Sequence, residues 1–124
     1  MTPAESRESP ERRRLMCCVL DVLRYDLETL AGILELLNVR GSVGWRDEFG
    51  RDLLPEDVAP ILDELLRAGL VRPYAGSSGG TRLVEVPVEE AIGAANAPST
   101  WWRITPAGWR LWRQWVRSSD GERP

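Results

Sequence analysis

The chain has 124 residues and a net charge of −3, and all 16 of its basic residues are arginine, since it contains no lysine and no histidine. Without histidine there is no Ser-His-Asp or Cys-His catalysis and no histidine-ligated zinc, and without lysine there is no Schiff base and no P-loop lysine. A chain of this length corresponds to a single domain.

The two cysteines, Cys17 and Cys18, are neighbours within an apolar segment. A disulfide between adjacent residues is strained, so we expect free thiols and a reducing, cytoplasmic compartment. No apolar run reaches the roughly 18 residues of a membrane span, and the polar start of the chain lacks the apolar centre of a signal peptide. We therefore expect no association with a membrane.

The first predicted helix runs from Pro10 to about Tyr25. Its apolar residues cover more than half of the helix circumference, which predicts burial in the chain's own core or against a partner. Residues 1–9 and 118–124 show no periodicity and are expected to be flexible tails, so a single domain is expected over residues 10–117.

Two longer helices are predicted next. Asp26 is expected to cap a helix over Leu27–Asn38, whose apolar residues recur at three- and four-residue spacing. Another is expected over Pro55–Ala68, with Gly69 closing its C-terminal end. Because Pro60 lacks a backbone donor, a start later than Pro55 is left open for this helix.

The remaining elements are a short helix, a strand, a second strand, a helical turn, a third strand and a last helix. They are expected, in that order, at Trp45–Gly50, Leu70–Ala75, Arg82–Val88, Glu89–Ala95, Thr100–Thr105 and Ala107–Arg117. In the third strand, alternation places Trp102 and Ile104 on one face and Trp101 and Arg103 on the other.

Two motifs resemble those of a known family. Residues 62–71 read LDELLRAGLV, like the end of a recognition helix and the entry to a β-wing; residues 102–108 read WRITPAG, like the strand that leaves the wing and the next helix. In this order they resemble the winged helix-turn-helix bacterial regulators of the MarR and PadR type, over about residues 27–117. The resemblance implies a mainly α fold (α+β) with a small antiparallel β-wing, an extra N-terminal helix and a C-terminal helix.

The resemblance also assigns roles to the helices. It implies that residues 27–38 form the family's first helix, residues 45–51 its second helix and residues 55–68 its recognition helix. In the family, the recognition helix is the one that reads DNA. The helix at 10–25 is then an added N-terminal element, of a kind that often forms dimers in the family.

The predicted recognition helix has the wrong charge for DNA. Its outward positions include the acidic residues Glu56, Asp57, Asp63 and Glu64 and only one arginine, Arg67, whereas phosphates and base edges favour Arg, Lys, Asn or Gln. Between residues 21 and 64 there are eleven acidic residues and four arginines, a net charge of −7, while residues 97–117 carry a net charge of +4. The positive charge lies on the last predicted strand and the C-terminal helix, whereas DNA recognition would require it on the recognition helix and the wing.

The C-terminal part of the chain is rich in tryptophan and arginine. Five of the six tryptophans lie in residues 101–115, and a basic stripe of Arg110, Arg113 and Arg117 is predicted along the last helix. Core packing beside a solvated basic edge is one interpretation, since aromatic residues at helical spacing usually pack inward. A contact surface is another, because Trp and Arg are enriched in interface hot spots, with Trp101 as the best exposed candidate. Stacking on a single-stranded nucleic acid is a third.

The leading hypothesis is a non-enzymatic winged-helix interaction module that is regulatory and binds a protein partner, a second copy of itself, or both. Its predicted contact residues are Glu56, Asp57, Asp63, Glu64, Trp101, Arg110, Arg113 and Arg117. The alternative is a transcriptional regulator that binds duplex DNA through Arg46, Arg51, Arg72, Arg82 and Arg103. No catalytic, cofactor-binding or metal-binding residues are predicted.

Overall fold

The computed structural model describes residues 10–25, 27–39, 49–76 and 82–122, and the side chains of residues 11–116 within those ranges. These parts form an α+β domain with five helices and four short strands. In chain order the elements are α1 (Pro10–Leu23), β1 (Glu28–Thr29), α2 (Leu30–Leu37), α3 (Pro55–Arg67), β2 (Val71–Gly76), β3 (Leu83–Glu85), α4 (Val88–Ala91), β4 (Thr100–Ile104) and α5 (Pro106–Glu122).

The N-terminal helix α1 is part of the core and not an addition to it. It begins at Pro10, as predicted, and ends at Leu23, two residues before the predicted end. It packs against α2, α3, α5 and β4. Because this helix is apolar around most of its circumference, it can contact several elements at once. Its buried residues are Leu15, Cys18, Val19, Leu20, Val22 and Leu23. Neither cysteine forms a disulfide, and burial raises the pKa of the Cys18 thiol.

The second helix begins later than predicted. The segment Glu28–Thr29, expected to be helical, forms strand β1 and pairs with β4. Helix α2 then begins at Leu30, and its N-terminal cap is Thr29, whose side-chain oxygen accepts a hydrogen bond from the backbone of Gly32 at 3.1 Å. The prediction of a helix from Leu27 was wrong because pairing with a distant strand overrides the local pattern. The predicted cap, Asp26, lies outside the described residues.

Helix α3 begins at Pro55, so the later start that Pro60 left open is not needed. Pro60 lies within the helix on its exposed side, and Gly69, with φ of 75°, follows the helix end as predicted. Of the short helix predicted at Trp45–Gly50, only the last two residues are described. The side chain of Asn38 connects the end of α2 to the segment before α3. It exchanges two hydrogen bonds with the backbone of Leu53, at 2.7 and 2.9 Å.

The four strands form one antiparallel sheet in the order β1-β4-β2-β3. Each end of the predicted strands lies within three residues of the observed one, although α4 occupies the last residue of the second predicted strand. Trp102 on β4 is completely buried and faces the helices, together with Val71 and Pro73 of β2. The opposite face of the sheet is turned toward solvent.

The two motifs that resemble the winged-helix family are in contact. Thr105 caps α5 by accepting a hydrogen bond from the backbone of Gly108 at 3.1 Å, and its hydroxyl donates to the carbonyl of Gly69 at 2.8 Å. The backbone of Thr105 also donates to the Leu70 carbonyl at 3.1 Å. A Cβ on Gly108 would lie only 2.3 Å from that carbonyl oxygen, so only glycine fits there. Helix α5 continues to Glu122, beyond the predicted end near Arg117.

The junction at Thr105 gives a first testable prediction. Thr105→Val keeps the shape of the side chain but removes the cap and leaves the Gly69 carbonyl without this donor, so we expect a loss of about 1–2 kcal/mol of unfolding free energy. Thr105→Ser retains the hydroxyl and is the matched control. Urea denaturation checks the prediction, and equal stabilities for the two variants would contradict it.

Candidate binding surface

Asp57 fixes the start of α3 and connects it to α1. Its Oδ2 accepts hydrogen bonds from the backbone N–H of Leu54 at 2.8 Å and from Arg51 Nη1 at 2.9 Å. Arg51 also donates to Glu11 of α1 at 2.9 Å. Burial acts to raise the pKa of Asp57, but the hydrogen bonds from Leu54 and Arg51 outweigh it and hold the pKa below its usual value. Asp57 is therefore a structural cap.

Two further carboxylates of α3 are also paired inside the molecule. Asp63 accepts hydrogen bonds from the backbone N–H of Gly93 at 2.7 Å and from Arg67 Nε at 2.9 Å, and these two bonds lower its pKa. Glu64 forms an ion pair with Arg12 of α1. Of the four predicted acidic contact residues, only Glu56 is exposed, while Asp57, Asp63 and Glu64 are half-buried.

The segment between β3 and β4 lies against the outward side of α3. Helix α4 packs on α3, and Ala91 and Ala95 of this segment are buried in the core. The hydrogen bond from Gly93 to Asp63 ties the segment to the middle of α3. A pocket of about 540 Å³ remains between the two, bordered by Pro60 and Asn96. A helical turn was predicted here, but its contact with α3 was not.

The solvent face of the sheet carries a row of side chains that crosses all four strands. Trp101 is directly opposite Tyr74 on β2 and Thr29 on β1, and Tyr74 is directly opposite Glu85 on β3. Residues directly opposite each other lie on one face, and alternation turns Trp101 outward because Trp102 is buried. Trp101 is 36% exposed, which confirms the predicted orientation.

Two arginines lie beside this row. Arg72 and Arg103 are direct cross-strand partners on β2 and β4, and both are exposed. Like charges in directly opposite positions destabilise a sheet. Arg72 Nη1 contacts Glu85 Oε1 at 3.2 Å, whereas the guanidinium of Arg103 forms no hydrogen bond or ion pair with any residue in the described part of the chain. One guanidinium of the pair therefore has a carboxylate partner and the other has none.

Arg72, Tyr74 and Arg103 form the floor of a cleft of about 920 Å³, and Trp101 adjoins this floor as the cross-strand partner of Tyr74. One wall is the end of α1, with Arg24 and Tyr25, and the other is the start of α5, with Pro106 and Trp109. Tyr25 is the most exposed aromatic residue of the described chain, at 73%. We call the floor and its two walls the sheet cleft.

Arg24 is held in place by the elements around it. Its Nε donates to Asp21 at 2.9 Å, and its guanidinium lies 3.8 Å from the ring centre of Tyr25 and 4.4 Å from that of Trp112. Trp112 donates its indole N–H to the same Asp21 oxygen at 3.1 Å. This cluster ties α5 to α1 and gives the cleft a rigid wall.

The tryptophans of α5 divide between the core and the surface. Trp112 and Trp115 are half-buried and pack against the core, as the core-packing interpretation predicted, while Trp109 is 38% exposed in the sheet cleft. Arg110 and Arg113 are exposed along the helix. Arg117 lies in α5, but its side chain is outside the described set.

The arginines predicted to bind DNA do not form one surface. Arg72 and Arg103 lie together on the sheet, and Arg82 is exposed just before β3. Arg51 instead contacts α1 and α3, where Asp57 and Glu11 hydrogen-bond its guanidinium and raise its pKa. Arg46 lies outside the described residues.

Sequence reasoning missed the aromatic neighbours of the arginines. Tyr74 shares a strand face with Arg72, and alternation alone could have indicated this. The pairing of Tyr74 with Trp101 depends on the register between β2 and β4, which are joined by a long connection, so no local pattern specifies it. Tyr25 and Trp109 enter the site only through helix packing.

No protein-family model matches the sequence, and no curated protein is significantly similar to it. Within the described ranges, no helix has both the length and the apolar character to cross a bilayer, and no three His, Cys, Asp or Glu side chains are grouped so that they could hold a metal ion.

The Asp63 contacts give a second prediction. Asp63→Ala removes two charge-assisted hydrogen bonds, one of which holds the segment that covers α3, so we expect a loss of about 1–2 kcal/mol at neutral pH. A carboxyl whose pKa is lowered by folding stabilises the protein above its ordinary pKa, and this contribution is lost as the pH falls through the lowered value. The difference between wild type and variant should therefore disappear in acid.

The control for this prediction is Glu56→Ala on the same helix, because Glu56 is exposed and we expect at most about 0.5 kcal/mol there. Chemical denaturation from neutral to acidic pH measures both variants. A pH-independent loss for Asp63→Ala, or an equal loss for Glu56→Ala, would contradict the role given to Asp63.

Proposed function

We propose that this chain is a non-enzymatic, cytoplasmic interaction module with a winged-helix frame, and that it is regulatory and works through protein–protein contacts. The frame is supported by the order of the main elements, which is α1, β1, α2, α3, β2, β3 and β4. It is also supported by the position of β4 in the sheet, between β1 and β2. In this proposal α1 belongs to the frame itself, because its residues fill the core, and α3 occupies the place of the recognition helix.

The observation that carries the proposal is the solvent face of the sheet. Trp101, Tyr74, Arg72 and Arg103 lie side by side there, and Trp, Tyr and Arg are the residues most enriched in interface hot spots. They stand on strands whose backbones are hydrogen-bonded on both sides, which holds them in fixed positions before a partner arrives.

The surroundings of α3 favour a protein partner over DNA. Its carboxylates are engaged by Arg12, Arg51 and Arg67, so these arginines have no spare charge for phosphates. Helix α4 and the turn after it also lie against the side of α3 that a recognition helix would present to the major groove. The paired carboxylates of α3 therefore stabilise the fold, and the contact surface that we propose is the sheet cleft and not α3.

The chemistry of the titratable groups supports a non-enzymatic role. Asp57 and Asp63 have lowered pKa values and are hydrogen-bonded, so both are ionised and unsuited to proton transfer near neutral pH. Cys17 and Cys18 are adjacent and neither forms a disulfide, which supports a reducing compartment.

A duplex-DNA-binding regulator is the second candidate. The observation in its favour is that Arg72, Arg82 and Arg103 are exposed on the wing and the adjoining strand. Three cations are few, because stable DNA binding usually neutralises about 6–10 phosphates.

The third prediction separates the two candidates. With a labelled duplex of random sequence, we expect no salt-dependent binding by fluorescence anisotropy from about 50 to 200 mM salt. In a two-hybrid screen, we expect partners that Trp101→Ser and Arg103→Gln lose and that Arg82→Gln retains. DNA affinity with a steep salt slope that all three arginines support would contradict the proposal and favour the regulator.

A further inference from the structure

We propose that the sheet cleft binds an acidic, extended segment of a partner protein, with a partner carboxylate on Arg103 and an aromatic or proline side chain on Trp101 and Tyr74. This inference rests on the proposed function and adds the chemical class of the partner.

The first argument is the arginine pair. Arg72 and Arg103 are directly opposite each other, which is unfavourable unless anions lie between or beside them. Glu85 already supplies a carboxylate to Arg72, with the two atoms 3.2 Å apart. Arg103 has no such partner within the described ranges. A carboxylate from outside would complete the pair, and the planar guanidinium suits a carboxylate through two parallel hydrogen bonds.

The second argument is the aromatic row that adjoins the pair. Trp101 and Tyr74 are cross-strand neighbours one pair beyond Pro73 and Trp102, and both are partly accessible. Flat rings on a rigid sheet offer contact area at a small entropy cost, as in many peptide-binding surfaces. A partner segment with an aromatic or proline ring next to an acidic residue would contact the aromatic row and Arg103 at the same time.

The third argument is the shape of the site. The end of α1 and the start of α5 border the cleft at one end of the sheet, and the volume of about 920 Å³ exceeds that of one side chain. Arg24 is fixed against Tyr25 and Trp112, so one wall is in place without a ligand. This volume leaves room for several residues of an extended segment beside Tyr74.

The charge of the site favours a peptide over a nucleic acid. Of the three arginines in the cleft, Arg24 is neutralised by Asp21 and Arg72 by Glu85, so only Arg103 is left for a new anion. One such cation matches a segment with one or two carboxylates. A nucleic acid presents a phosphate at every nucleotide and would meet the carboxylate of Glu85 at the edge of the cleft.

The test uses the full chain and a fluorescein-labelled peptide made of repeats of Asp-Glu-Phe-Pro. Its controls are the same peptide with Asn and Gln in place of the acids, and a single-stranded oligonucleotide of equal length. We expect a Kd on the order of 10–100 µM for the acidic peptide at low salt and at least fivefold weaker binding of both controls.

Variants then locate the site. Arg103→Gln and Trp101→Ser should each weaken acidic-peptide binding at least fivefold, whereas Arg82→Gln, an exposed arginine outside the cleft, should leave it unchanged. Glu85→Gln should strengthen binding two- to fivefold, because it removes a competing negative charge. Circular dichroism melts confirm that each variant is folded.

Each remaining outcome overturns the inference in a distinguishable way. If no acidic peptide binds but two-hybrid partners still depend on Trp101, the partner chemistry is wrong and the proposed function stands. If light scattering shows a dimer that Arg103→Gln disrupts, the occupant is a second copy. If the oligonucleotide binds more tightly than the peptide and Arg82→Gln weakens it, the inference and the proposed function both fail.

Discussion

The contact of Thr105 with Gly69 and Leu70 is the constraint on which the rest of this structure depends. It joins the end of α3 to the start of α5, and β2 and β4 run directly from these two points. The register of the two strands is therefore set at the junction, with each later pair following from it. A slip of one residue would turn every side chain to the other face, so the outward position of Arg72, Tyr74 and Trp101 depends on this junction, whose Thr105 also borders the sheet cleft.

The division of charge along the chain has a structural explanation. Three acidic residues of α3 are used inside the fold, since Glu64 pairs with Arg12 of α1, Asp57 with Arg51 before α3, and Asp63 with Arg67 of the same helix. Arg72 and Arg103 of the sheet and Arg110 and Arg113 of α5 lie at the surface. The net charge of −3 thus conceals a surface on which accessible positive charge is concentrated near exposed aromatic rings. Arginine suits this setting better than lysine, because its planar group both stacks on rings and pairs with carboxylates.

Local signals predicted the elements well, and contacts distant in sequence account for what they missed. The starts of α1 and α3 at proline and the outward turn of Trp101 follow from propensity and alternation. The sequence could not indicate that residues 28–29 pair with β4, since that requires a partner more than 70 residues away. For the same reason it predicted free carboxylates on α3, although Arg12, 52 residues earlier, neutralises Glu64. The candidate site was therefore only half predicted: Trp101 was named as a protein contact and Arg72 and Arg103 as DNA contacts, whereas Arg24 and the surface that unites these residues were not.

The central claim is that partners bind at the sheet cleft and not at α3. The most direct measurement is a titration of the ¹⁵N-labelled chain, followed by NMR, with the acidic peptide and separately with duplex DNA. The account predicts that the peptide shifts the indole signal of Trp101 and the amides of Arg72, Tyr74 and Arg103, and that DNA shifts none of the signals of α3. Shifts confined to the amides of residues 55–67, with either ligand, would contradict it.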